Sequence, residues 1–168
     1  KPLPTRLINE LLPETATFVL PRDLVARKVP AELVSTLNQD PASPFFRLVK
    51  RASDRGTSEA VVTDTALLSL IKSSLSNPLG ALAPFKSVGR EGGGDVAGMY
   101  RILTTYWSAV KAVFPDAWGK DPKQSRLMHS AGLMAMGLLM DAIYARLPPN
   151  SEVAAVQREL EKVAPSCR

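Results

Sequence analysis

This chain has little of what most often carries chemistry. Its 168 residues include one cysteine, Cys167, and one histidine, His129. A single cysteine excludes an intrachain disulfide framework and a multi-cysteine metal site, a usage that suits a reducing cytosol. A single histidine excludes any centre that needs two imidazoles. Aromatic residues make up only 6% of the chain, so its core has to come from Leu, Val, Ala and Met. No apolar run reaches the roughly 18 residues that mark a membrane-spanning helix, and no charged-then-apolar signal segment opens the chain. Lys1 stands where an initiator methionine would, so the sequence reads as an excised or processed piece of a larger protein.

What is present points to one globular domain. A 45% hydrophobic and 22% charged composition separates the chain from disordered sequences. A chain of this length buries roughly two thirds of its accessible surface on folding. The net charge of +5 and a pI near 9.6 permit contact with nucleic acid or another acidic surface without requiring it. The pattern of apolar residues and breakers predicts a mainly α fold, a single compact multi-helix domain over 1–168 with at most one or two short strands.

The elements follow in order. A short amphipathic helix is expected over 5–12, stopped by Pro13. Residues 16–20 suit a strand or a buried connector, which periodicity does not separate in so short a run. Pro21 opens a helix that Pro30 kinks or ends, with 31–38 resuming it and Leu24, Leu33 and Leu37 facing inward. After a turn at Asp40-Pro41-Ala42-Ser43-Pro44, a helical segment over 45–52 is expected, with Phe45, Leu48 and Val49 inward. Arg47, Lys50, Arg51 and Arg55 would then share one face, at spacings of three and four. Residues 60–62 read as a brief strand. Asp64 is the expected N-cap of a helix over 65–75 that is apolar almost all round and therefore deeply buried.

The stretch 98–141 organises the rest. Asp95 caps a helix on which Met99, Leu103, Tyr106, Val110 and Val113 form a stripe, widened by Ile102, Trp107 and Phe114. Residues 115–119 make a corner that Trp118 plugs, followed by a polar loop over 120–125. A second apolar helix is expected over 126–145, with Leu127, Ala131, Met134, Leu138, Leu139 and Ala142 on its face. Gly132 and Gly137 inside it cost roughly 1 kcal/mol each relative to alanine, which points to close packing against a neighbouring helix. Ser151 caps a last helix over 152–163, with Val153, Val156, Leu160 and Val163 as its stripe.

Candidate sites are few. Gly89 and Gly94 have the spacing of a P-loop, but Asp95 and Val96 stand where Lys and Ser or Thr are needed. Residues 92–97 satisfy a loose G-x-G-x-x-A pattern with no clear strand before it, so a surface loop is the better reading. His129 has no nucleophile or carboxylate fixed to it by spacing and reads as a structural histidine. Asp116 and Asp121, beside Pro and Gly-Lys, read as turn formers, and a base-stacking Trp118 would have to be exposed. These residues assign no catalytic group, cofactor or metal. The candidates for contact with nucleic-acid phosphate are the basic face Arg47, Lys50, Arg51 and Arg55 and the cluster Lys120, Lys123 and Arg126.

A family resemblance adds a functional class. Tyr106-Trp107-Ser108-Ala109-Val110-Lys111, then Phe114-Pro115-Asp116-Ala117-Trp118, then Arg126-Leu127 leading to Gly132 and Asp141, resembles the C-terminal half of DGQHR-domain (DndB-like) proteins. The opening Lys1-Pro2-Leu3-Pro4 and the segment Leu37-Asn38-Gln39-Asp40-Pro41-Ala42-Ser43-Pro44-Phe45 fit the same order. These motifs are aromatic and turn positions rather than chemical groups. The Asp-Gly-Gln-His-Arg motif that names the family belongs to an N-terminal region related to the ParB/sulfiredoxin fold, and it is absent here, so no functional residue carries over. The resemblance implies a non-enzymatic, cytoplasmic, DNA-associated accessory or regulatory module of a bacterial DNA-modification or phage-defence system. Its partners would be DNA and a missing N-terminal domain or a second copy. The alternative is a structural helical lobe for protein–protein or self-association, with an apolar patch expected on the 151–163 helix.

Overall fold

The computed structural model describes residues 22–50, 60–86 and 94–167, with side chains from Lys28 onward in the first segment. The predicted 5–12 helix, the 16–20 segment, the inward side chain of Leu24 and the glycines of 89–93 lie outside the described residues. Among the described residues the chain forms five α-helices and a single pair of two-residue strands, so the fold is mainly α.

Helix α1 (Arg22–Gln39) continues through Pro30, which does not end it. Leu33 and Leu37 are fully buried on its inner side, as their spacing predicts. Strands β1 (Val49–Lys50) and β2 (Val62–Thr63) pair in parallel, with Val49 opposite Val62 and both side chains in the core. Helix α2 (Asp64–Ser76) follows directly. Its N-cap is Thr63 rather than Asp64, for the Thr63 hydroxyl accepts the Ala66 N–H at 3.3 Å. Asp64 is the first helical residue and is buried.

Helix α3 (Val96–Val113) is capped as expected, the Asp95 carboxylate accepting from the Gly98 N–H at 2.8 Å. Met99, Ile102, Leu103, Tyr106, Trp107 and Val110 are all buried, and α3 packs on both α1 and α5. Each such side chain contributes roughly 1.5–3 kcal/mol by burial, so α3 carries the largest share of the core. Helix α5 (Val153–Val163) lies on α3 through Val156 and Leu160. Its N-cap position is Glu152, without a side-chain cap bond, while the Ser151 hydroxyl donates to the Pro148 carbonyl at 2.7 Å and closes the preceding turn instead. The apolar stripe of this helix is thus largely spent on its own core, although Val153 stays exposed.

Helix α4 (Ser130–Tyr144) departs most from expectation. It starts at Ser130 rather than Arg126, with His129 as its N-cap, and it packs on α2. Its buried residues are Leu133, Met136, Gly137, Met140, Asp141 and Ile143. Ala131, Leu138 and Ala142, expected on the inner face, are exposed, and Met134 and Leu139 are only partly covered. Of its two glycines, only Gly137 meets a neighbouring helix, since a Cβ there would stand 2.8 Å from the Leu70 side chain of α2. A Cβ on Gly132 would instead strike the Arg126 carbonyl, in the chain's own preceding loop.

Candidate functional site

The predicted helix over 45–52 does not form. Residues 41–48 are a succession of turns that enters β1. The competing bonds are specific. Asn38 takes two backbone donors, its carbonyl accepting the Arg47 N–H at 3.0 Å and its Oδ1 accepting the Val49 N–H at 3.0 Å. The Ser43 hydroxyl accepts the Phe45 N–H at 3.1 Å. The Val49 N–H, which a helix would direct to the Phe45 carbonyl, is spent on Asn38 Oδ1, and the chain enters β1 instead. Arg47 adopts a left-handed backbone with φ of 57°, a conformation that costs a non-glycine residue about 1–2 kcal/mol. Its guanidinium lies over the Phe46 ring, 5.0 Å from the centroid. Arg47 and Lys50 therefore do not share a helical face. Arg47 is on a strained turn and Lys50 is exposed on the strand, while Arg51 and Arg55 lie outside the described residues.

The turn is anchored at both ends. The Tyr100 hydroxyl of α3 donates to the Asp40 carboxylate, which also accepts the Ala42 N–H at 2.8 Å. The Tyr100 hydrogen bond, then that of Ala42, holds the Asp40 carboxyl below the usual carboxylate range. Desolvation, then the bond to Asp40, pushes the Tyr100 phenol up to about 12. Phe45 is fully buried, its ring 5.1 Å from Trp107 and 5.3 Å from Trp118, and the two indoles are 6.0 Å apart. Trp118 thus plugs the corner after α3 as the sequence suggests. Half-buried among other rings, it offers no open platform for a base.

The second basic cluster leaves the same corner. Gly119, with φ of 71°, turns the chain away from Trp118, and the Asp121 carboxylate accepts the Lys123 N–H at 2.8 Å to shape the loop. Lys120, Lys123 and Arg126 are all exposed. Arg126 precedes α4 instead of opening it, and its carbonyl accepts the His129 N–H at 3.2 Å. The Phe45–Trp107–Trp118 contacts therefore seat both basic segments on one aromatic support, Arg47 two residues beyond Phe45 and Lys120 two residues beyond Trp118.

Other candidates resolve into structure. His129 Nδ1 accepts the Ala131 N–H at 3.2 Å, so the only imidazole caps α4. Asp121 shapes its loop, and Asp116 is exposed beside the corner. Among the described residues, no three His, Cys, Asp or Glu side chains are grouped to hold a metal ion. No helix of the described residues is long and apolar enough to cross a membrane.

Two features escaped the sequence reading. Asp141 is buried, and its Oδ1 accepts the Ser74 hydroxyl at 2.6 Å and the Ala81 N–H at 2.9 Å, while its Oδ2 accepts from Asn77 Nδ2 at 3.2 Å. The only sequence signal was an acid alone in a helix without other charges. The second is an open cleft of about 410 Å³ under the corner, floored by Phe114, Leu127, Ala135 and Met136, with Asp116 and Arg126 among its polar lining residues.

No family model, curated protein or solved structure matches this chain.

Proposed function

We propose that this chain is a non-enzymatic, DNA-associated accessory or regulatory module of a bacterial DNA-modification or phage-defence system, acting in the cytoplasm. It contacts the phosphate backbone through Arg47 and Lys50 on one segment and Lys120, Lys123 and Arg126 on the other. The DGQHR-domain resemblance supplies the biological class. The observation that carries the proposal is the placement of Arg47: a cation held in a left-handed conformation on an aromatic support that also bears the second basic loop. Local strain of this kind persists only where its surroundings over-determine it, and it concentrates at functional positions. Neither segment offers a motif that reads bases, so the binding is backbone-directed, steered by the net charge of +5 and indifferent to sequence.

A gel-shift titration at low salt tests this. Binding should weaken with salt with a logarithmic slope of about −0.9 for each phosphate neutralised. Replacing Lys120, Lys123 and Arg126 with Gln should weaken binding and flatten that slope. Arg47→Gly separates function from fold. It should stabilise the chain by up to about 1 kcal/mol through relief of the left-handed strain, and weaken DNA binding at the same time. Absence of binding at low salt, or binding indifferent to all five cations, rules the reading out.

A further inference from the structure

The cleft under the corner suits a ligand that is flat, partly apolar and polar along its edge. Its volume of about 410 Å³ falls within the roughly 300–1,000 Å³ of sites that hold small molecules. Phe114 and Met136 supply apolar surface, and Ala135 of α4, small and exposed, adds no bulk to it. The polar residues are of mixed kind: Gln124 carries both donor and acceptor, Asp116 only acceptors and Arg126 only donors. A fully apolar ligand would strip water from these groups without replacing it, and a purely anionic one would meet the Asp116 carboxylate. Ser125 is a second, independent observation. It lines the same cleft, is only 7% exposed, and its hydroxyl has no hydrogen-bond partner among the described residues. A buried hydroxyl seldom stays unbonded, so Ser125 points to a partner that enters from the cleft.

We propose that this cleft seats a single unpaired nucleobase of the DNA strand whose phosphate Arg126 contacts. This seat rests on the phosphate-contact reading and adds to it the form of the strand. Arg126 belongs both to the basic loop and to the cleft lining, so a strand held there brings a base beside the cleft. The π-face of the base lies on Phe114, and its edge of donors and acceptors meets Gln124, Asp116 and the Ser125 hydroxyl, which turns about one side-chain torsion. A base inside a duplex is stacked and paired and cannot enter, so the cleft selects a bulge, a gap or a single strand. Every base has a π-face, so the seat is tolerant of base identity. Lys120 and Lys123, exposed in the same loop, continue the phosphate contacts, which favours a strand over a free nucleotide.

Fluorescence anisotropy at low salt tests this with a labelled perfect duplex and the same duplex carrying a single unpaired base. The bulged duplex should bind about ten-fold tighter, within the range for seating one base on an aromatic ring. Ala135→Trp, which fills the cleft from an exposed position, should remove that preference and leave affinity for the perfect duplex unchanged. Ala142→Trp, exposed on the same helix but outside the cleft, should change neither. In the unaltered chain, with either duplex saturating, the bulged one should slow alkylation of Cys167, which lines the cleft, more than the perfect one does. That measurement reads the site even where Ala135→Trp folds poorly. A free deoxynucleoside monophosphate at millimolar concentration should not displace the bulged duplex. Equal affinity for the two duplexes, a preference that survives Ala135→Trp, equal protection of Cys167, or release by the monophosphate overturns the base seat while phosphate contact stands. Absence of binding to both duplexes overturns phosphate contact as well.

Discussion

Helices α3 and α4 flank one corner and are both rich in apolar residues, yet they are held by different means. α3 is fixed by area: six large side chains from Met99 to Val110 are buried against α1, α5 and the turn that carries Phe45. No single contact there is indispensable, because the stabilisation is spread over many. α4 is fixed at points as well as by area. Gly137 lets α2 approach through Leu70, and Asp141 binds three donors from the end of α2 and the loop beyond it. Leu133, Met136, Met140 and Ile143 are also buried, while Ala131, Ala135, Leu138 and Ala142 face outward. The difference shows that similar hydrophobic content leads to unlike energetics: one helix relies chiefly on apolar area, the other joins a smaller apolar face to a buried carboxylate.

The sharpest way to break this contrast is at Asp141. Asp141→Ala strands the Ser74 hydroxyl, the Asn77 amide and the Ala81 N–H, and at about 1–3 kcal/mol for each buried orphan the loss should reach about 4 kcal/mol. Urea unfolding measures it, and Asp141→Asn, which keeps an acceptor, should recover part of the loss. Leu103→Ala in α3 should cost about 3 kcal/mol, an ordinary large-to-small core loss. A larger effect at Leu103 than at Asp141 would show that the polar anchor matters less to the fold than ordinary core area. Gly137→Ala should cost about 1–2 kcal/mol, because its Cβ would press on Leu70 and force α2 and α4 apart. Leu138→Ala should change monomer stability by less than about 0.5 kcal/mol, the range for exposed positions, although the residue sits amid the apolar run.

The gentlest probe is alkaline titration. Desolvation raises all three tyrosines: Tyr100 on α3 and Tyr144 on α4 to about 12, and Tyr106 further in the same direction. A raised folded value means stability that is present below the ordinary phenol range near pH 10 and is lost as pH climbs towards 12. Tyrosinate absorbance should therefore stay flat through pH 10 and rise together with unfolding. Early ionisation of one phenol would mark its helix as less tightly packed than α3 and α4 are here.

Legibility in the sequence follows the same contrast. α3 could be read because polar residues such as Arg101, Thr105 and Lys111 interrupt its apolar stripe and mark an outer side. α4 could not, because a helix apolar all round presents no preferred face to a periodicity argument, and the stripe chosen was in large part the one that faces solvent. The 45–52 segment failed for another reason. Its residues tolerate a helix, but Asn38 Oδ1 takes the Val49 N–H that a helix would direct to the Phe45 carbonyl, and Phe45 is buried against two indoles. Arg47 and Lys50 lie on a turn and a strand instead of on one helical face.

By itself the sequence determined the helical class, the corner at Trp118, the Asp95 cap and the inner side of α3. These depend on neighbours a few positions apart, whose chemistry is local. Only the tertiary structure decided which side of α4 is buried and that Phe45 meets Trp107 and Trp118. Asp141 found its partners 60, 64 and 67 residues away, and Phe45 found Trp107 and Trp118 across a similar distance in the chain. No local pattern encodes the geometry of groups brought together only when the core closes.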